Sequence, residues 1–477
     1  MLVLVGGAAA LLASCRPQAT GPITVSAIGS APQLVNPNLR PLDPPAAFLT
    51  EAVAQGLVRF DASGEIEPAL AQSWIVSDDG LRYTFRIRRL TWSDGQRVTA
   101  EQVAARLRAA ISRASRNPFK PILAAISDVV AMTDEVLEIQ LRGPRPNFLQ
   151  VLAQPEMGLL LNGRGTGPYR VEGEGNAPLH LALPQPDDDD RPRDPVPDIL
   201  LWGEPPAYAV TRFVAGEVEL VTGGSIGDLA YARVADLPRG ALVFDRPQGL
   251  FGLVFTSAEG PLAAVEVRRA LSMAVDRAAL ARALDAGFEA HLGLVPGGTA
   301  ELPRPAAPDW AAEPLPMRRE QAAAAIAALG PDTSLRLRVA IPNGPGYEIM
   351  FSSLRRDWAR IGVEAMRVAP GAAAHLRLVD AVAPANLPTW YLRFFTCDAS
   401  PVCDAAVDET LQRARLAATA AERQAALAEA DRSLAALTPY IALGGPVRWS
   451  LVSRRLTGFR PNAFARHPAS ELIAEGF

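Results

Sequence analysis

The run Gly223-Gly224-Ser225-Ile226-Gly227 matches G-x-S-x-G, the spacing that lifts a serine hydroxyl onto a sharp strand-to-helix turn for nucleophilic attack. It follows a strand-like stretch at 218–222 and precedes a stretch that can be helical, as a nucleophile elbow requires. The partners are missing. Only His291, His375 and His467 lie downstream, and none sits in a recognisable triad setting. A hydrolase acting through Ser225 is therefore a distant alternative, and no enzyme is expected. No H-E-x-x-H, P-loop or dinucleotide fingerprint occurs. Four scattered histidines offer no paired metal ligands, so neither a metal nor another cofactor is expected. Asp187–Asp190 is an acidic run broken by Pro192; it lacks the alternating acids and the glycine of a calcium loop and reads as solvated loop. Cys397 and Cys403 share a short polar loop. They can pair as a disulfide outside the cytoplasm or stand as free thiols, while a metal site there lacks a histidine or second cysteine pair.

The chain of 477 residues exceeds one ordinary core, so two or three domains are expected. Its 49% hydrophobic and 21% charged content is that of a globular protein. A formal net charge of −4, with both signs dispersed, gives no basic face for nucleic acid. Residues 2–14 form an apolar, small-residue run well short of the roughly 20 residues that span a bilayer. That run fits a signal-peptide core. It ends Leu12-Ala13-Ser14-Cys15, which resembles the lipobox of bacterial lipoproteins, although no Lys or Arg precedes Arg16. The expectation is a signal peptide at 1–14, lipid on Cys15, a tether over 15–20, and a soluble body held at a membrane outside the cytoplasm.

The elements that would position any site are clearest between Gln55 and Val103. Tyr83, Phe85 and Ile87 alternate with polar residues, the period of a half-buried strand, and Ser77-Asp78-Asp79-Gly80 turns it back on the run at 74–76. A second turn follows at Ser93-Asp94-Gly95. Thr99 and Gln102 then form a capping box, flanked by Val98 and Val103 as a staple, which starts a helix over 100–110. This block, with its Glu65-Ile66-Glu67-Pro68-Ala69-Leu70-Ala71-Gln72-Ser73-Trp74 and Trp92-Ser93-Asp94-Gly95, closely resembles the signature of family 5 extracellular solute-binding proteins. Those are the peptide, nickel and oligosaccharide receptors of bacterial ABC importers. Further landmarks are Leu34-Val35-Asn36-Pro37, Gly165-Thr166-Gly167-Pro168-Tyr169-Arg170-Val171, Gly216-Glu217-Val218-Glu219 and the helix-like run from Val267 to Arg277. Beyond them the spacing predicts a helix over 318–329, a strand over 335–341, a helix over 347–361, a strand over 363–368 and one long or broken helix over 404–437.

The resemblance implies an α/β fold with the two lobes of a type II periplasmic binding protein and an extra subdomain in the first lobe. Lobe I is placed at 21–248, including a subdomain over about 47–160, with a return at 445–477; lobe II is placed at 249–444. The implied function is the substrate-binding part of an ABC importer, a monomer that traps a peptide-like or other polar solute by hinge closure and passes it to permease and ATPase subunits. A sensor or scaffold lipoprotein of the same fold is the alternative. In peptide receptors an acid near an Asp-Pro meets the ligand's amino terminus. Here Asn386-Leu387-Pro388 stands near that place and Asp380 is the nearest carboxylate. An amide gives up charge-assisted attraction for an ammonium group, which weakens the case for free peptides. Trp390 and Tyr391 would stack on the ligand or pack within the lobe, and Arg393 would meet a carboxylate or a surface acid.

Overall fold

The computed structural model describes residues 21–474 apart from 93–94, 174–177, 184–196, 298 and 332–333. Cys15 with the expected signal peptide at 1–14, Ser93 and Asp94 of the second turn, and the Asp187–Asp190 run lie outside the described residues. Among the described residues no helix is long and apolar enough to cross a membrane.

Two sheets organise the chain, in the two-lobe type II arrangement. The first has seven strands in the order Leu242–Asp245, Arg448–Val452, Leu220–Ser225, Ile23–Ile28, Ile199–Glu204, Leu179–Ala182 and Arg170–Glu172. Ile23–Ile28 is central, parallel to both neighbours, and buried at five of six positions, as its near-continuous apolar run requires. The second sheet has five strands in the order Glu364–Val368, Arg336–Ala340, Leu376–Val382, Gly249–Phe255 and Tyr440–Gly444. The chain passes from the first sheet to the second through Arg246-Pro247-Gln248 and returns through Gly445-Pro446-Val447. A Cβ on Gly445 would lie 3.7 Å from Pro247 O, so the two crossings run side by side.

The signature block supplies two strands of a four-stranded antiparallel sheet, ordered Ala71–Val76, Arg82–Ile87, Val136–Leu141 and Ile126–Thr133. Tyr83, Phe85 and Ile87 point inward against helix Ala100–Ile111, whose buried stripe is Ala100, Val103, Ala104, Leu107 and Ala110. The capping box forms on both sides: Gln102 N donates to Thr99 Oγ1 at 3.3 Å and Thr99 N donates to Gln102 Oε1 at 3.1 Å. Gln102 Oε1 also accepts from the indole of buried Trp92 at 2.9 Å.

Several elements differ in detail from their sequence expectation. The run from Val267 to Arg277 is not one helix. It divides into Val265–Met273 and Arg277–Leu284, because Asp276 caps the second helix by accepting from Ala279 N at 2.8 Å. Arg277 turns inward, donating to Ala442 O at 2.6 Å and Ser272 O at 3.0 Å, and so ties this corner to the Tyr440–Gly444 strand. The strand expected at 218–222 runs over Leu220–Ser225. The helix expected from 318 begins at Leu315, where Pro316 suits the first turn. Residues 404–437 form two helices, Ala405–Leu416 and Ala420–Leu437, the second begun by a capping box of Thr419 and Glu422. A disulfide joins Cys397 to Cys403.

Candidate functional site: the apposed faces of the two lobes

Ser225 ends its strand where the first lobe meets the second. Its hydroxyl donates to Asp228 Oδ2 at 2.8 Å and accepts from Gly227 N at 3.2 Å. Among the described residues no histidine bonds it, so the G-x-S-x-G spacing does not assemble a nucleophile with its base. The glycines have a different use. A Cβ on Gly224 would lie 2.2 Å from the Trp449 ring, and one on Gly227 would lie 2.4 Å from the Tyr347 ring. Helix Pro345–Ala359 of the second lobe starts directly against this turn. Gly346 N donates to Gly227 O at 3.1 Å, and a Cβ on Gly346 would stand 1.9 Å from Ile226 O. The motif lets two backbones touch across the lobes, which only residues without a Cβ permit.

Beside this contact lies a charged bridge. Asp380, on strand Leu376–Val382, pairs with Arg448 of the returning strand at 2.8 Å. Arg448 also donates to Asp380 O at 3.3 Å, and the Tyr347 hydroxyl donates to Asp380 Oδ2 at 3.2 Å. Burial pushes the Asp228 carboxyl above the usual range against its bonds to Ser225, and the charge on Asp380 adds to the rise. Burial likewise pushes up the Tyr347 phenol, again reinforced by Asp380. The site thus holds two carboxylates and one arginine in a poorly solvated seam.

Farther along, the segment after Asp380 meets the subdomain. Gln154 Nε2 donates to Pro384 O at 2.8 Å, Asn147 Nδ2 to Asn386 O at 3.2 Å, and Asn386 N to Gln150 Oε1 at 3.1 Å. Asn386 Oδ1 is buried with no hydrogen-bond partner among the described residues. Trp390 and Tyr391 are 3% and 0% exposed and pack edge to face at 4.8 Å within the core that joins Ala385, Leu387 and Phe395. Arg393 lies over the Trp390 and Phe394 rings, 5.9 and 5.2 Å from their centres, with one long bond of 3.4 Å to Pro118 O.

The five residues singled out from the sequence therefore fall in three places: Asp380 on the charged bridge, Asn386 with the two aromatics in the subdomain seam, and Arg393 at a cavity beyond them. Sequence reasoning missed Arg448, Tyr347, Asp228 and the amides Asn147, Gln150 and Gln154. The glycine spacing at 223–227 and 344–346 carried the one available signal, a demand for close backbone approach. Among the described residues no group of three His, Cys, Asp or Glu is placed to hold a metal ion.

Known proteins share this fold. The family model of bacterial extracellular solute-binding proteins, family 5 Middle, matches residues 65–368, well over half the chain. The nickel-binding periplasmic protein of Escherichia coli strain K12 is 28% identical over 277 residues, covering 52% of this chain and 50% of that protein. The glutathione-binding protein GsiB of the same strain is 31% identical over 191 residues, covering 36% of each chain. The matched stretches thus span half or less of these relatives' own length. Among solved structures, the Escherichia coli murein tripeptide binding protein MppA superimposes with a TM-score of 0.81 at 20% identity, covering 95% of this chain and 98% of that one. Its unliganded open form gives 0.67, covering 95% and 96%. Matched by sequence over most of its length and by fold over nearly all of it, the chain belongs to the family 5 bacterial extracellular solute-binding proteins.

Proposed function

We propose that this protein captures a small polar solute between its lobes and delivers it to the membrane permease of an ABC importer. The observation that carries the reading is the pairing of two adjacent crossings, at 246–248 and 445–447, with cross-lobe contacts that do not depend on chain continuity. Side-by-side crossings make a hinge, and rotation about a hinge opens and closes the faces it joins. The Asp380–Arg448 pair and the Gly227–Gly346 bond are contacts that such rotation makes or breaks. The lower TM-score against the unliganded open form of MppA, 0.67 beside 0.81 for the other MppA structure, supports a closed arrangement here. On this reading lobe I comprises 21–248 and 445–477, with its subdomain at about 47–160, and lobe II comprises 249–444. The polar lining of the seam favours a charged or hydrogen-bonding solute such as a peptide-like compound. Nickel is bound by one relative, yet no candidate metal ligands gather among the described residues here. Lipid on Cys15 would hold the protein at the outer side of a cytoplasmic membrane or in the periplasm, with permease and ATPase subunits as partners.

Small-angle scattering against a broad panel of peptides, amino acids, sugars and organic acids tests the capture step. A bound solute is expected to reduce the radius of gyration, and a panel in which no compound compacts the protein overturns the reading. Labelling with a radioactive fatty acid tests the anchor: the label should be lost in Cys15→Ser, and a variant that still labels would sink that part.

A further inference from the structure

Between the subdomain and the second lobe lies a cavity of about 540 Å³, within the range of small-molecule sites. Arg145 and Ile122 face it from the subdomain, and Arg393, Phe394 and Arg415 face it from the second lobe. Arg145 is only 6% exposed, yet among the described residues its guanidinium meets backbone carbonyls alone: Pro144 O at 2.8 Å and Arg415 O at 3.3 Å. Arg393, half-buried, has among the described residues one 3.4 Å bond to Pro118 O and two aromatic neighbours. Burial alone lowers Arg393 to about 10. Arg145 is also brought to about 10, by burial and then by the charges of Arg423 and Arg415, with Glu301 opposing. Glu301 is already bound by buried Arg423. Asp398 and Asp408 share the cavity wall, but neither forms an ion pair with Arg145 or Arg393, and Asp408 accepts from Cys397 N at 3.0 Å.

A guanidinium withdrawn from water without a counter-ion is costly, and proteins pair such groups. The planar fork of arginine matches a carboxylate in bidentate fashion. We infer that this cavity is a subsite for a carboxylate group of the solute, gripped by Arg393 from the second lobe and Arg145 from the subdomain. The apolar walls, Ile122 and Phe394, suit the hydrocarbon part of an organic acid or the last side chain of a peptide with a free carboxyl terminus. Because each arginine rides on a different side of the seam, the anion binds the closed arrangement more tightly than the open one and draws the equilibrium toward closure. The inference rests on the solute-capture reading.

Isothermal titration with glutarate, glutaramide, tri-alanine and tri-alanine amide tests it, using the full chain and its Arg393→Gln, Arg393→Lys and Arg145→Gln variants. Each carboxylate should bind at least about tenfold more tightly than its amide, a difference of about 1.4 kcal/mol. Arg393→Gln should erase that preference, and Arg393→Lys should keep part of it. Thermal melting checks that the variants fold; if buried Arg145 cannot be replaced, the two Arg393 variants decide the matter. Equal binding of acid and amide, or an unchanged preference in Arg393→Gln, overturns the subsite. So does a failure of both carboxylates to bind a protein that compacts with some other solute, and in each of these cases solute capture still stands. If no solute of any class compacts the protein, capture and subsite fall together.

Discussion

Arg448 and Asp380 show how much one residue pair can decide. Each sits on a strand of a different sheet, and the pair is mostly screened from water. Removing one member of a buried pair leaves an uncompensated charge and costs about 3 kcal/mol or more. On the proposed hinge motion the molecule has an escape, since opening the lobes would return Asp380 to water. Arg448→Met should therefore shift the protein toward the open form while moving the melting temperature little, because strand Arg448–Val452 keeps its place between two neighbours. Fluorescence transfer between one dye on each lobe would register the shift. Adding Asp380→Asn to Arg448→Met should recover part of it, and a double-mutant cycle with no coupling would contradict the bridge. Asp380 was recognisable from the sequence as the nearest acid to an Asn-Leu-Pro where the family resemblance implies an Asp-Pro. Its partner was not, because Arg448 is 68 residues away and adjacency across a hinge leaves no mark on local pattern.

Single elements were the most legible scale. Thr99, Gln102, Val98 and Val103 announce the start of helix Ala100–Ile111 because capping is a local exchange of hydrogen bonds within four residues. Thr99→Ala should cost about 1 kcal/mol. Gln102→Ala should cost more, since it also orphans the buried Trp92 indole; urea unfolding of the two variants would rank them. A less legible element is helix Ala420–Leu437, where Asp431 is 1% exposed and accepts from Ala306 N at 2.5 Å. Burial raises its carboxyl to about 6, against the pull of that bond and of Arg432. The folded state then holds the proton more tightly than the unfolded chain. The contribution of this group to stability is full below about pH 4 and is lost as pH rises through about 6, a change of about 3 kcal/mol. Asp431→Asn keeps an acceptor for Ala306 and removes the charge. It should match the parent in thermal stability near pH 4 and exceed it near pH 8; an equal gap at both values would refute this account.

For the whole molecule the decisive feature is how closely the lobes approach. Gly227 and Gly346 let backbone meet backbone, and an alanine at 346 would place its methyl 1.9 Å from Ile226 O. Gly346→Ala should wedge the lobes apart, weaken solute binding by at least about tenfold, and leave the scattering profile unchanged by solute. Each lobe keeps its own sheet, so unfolding should change little. A variant that closes normally would show that the glycine contact is incidental to closure.

The sequence by itself determined the α/β composition, the local elements of the signature block and the family. These rest on periodicity, caps and turns, which act over a few residues and are written in order along the chain. It also marked the segment from Asp380 to Arg393 as unusual. Only the tertiary structure decided what that segment touches: Asp380 meets Arg448, Trp390 and Tyr391 enter the core, and Arg393 faces Arg145 across a cavity. It also gave the glycines of Gly223–Gly227 their use, as a surface where the lobes meet. The reason is physical. Burial and electrostatic pairing depend on distances between residues far apart in the chain, and those distances exist only once two sheets have been set against each other.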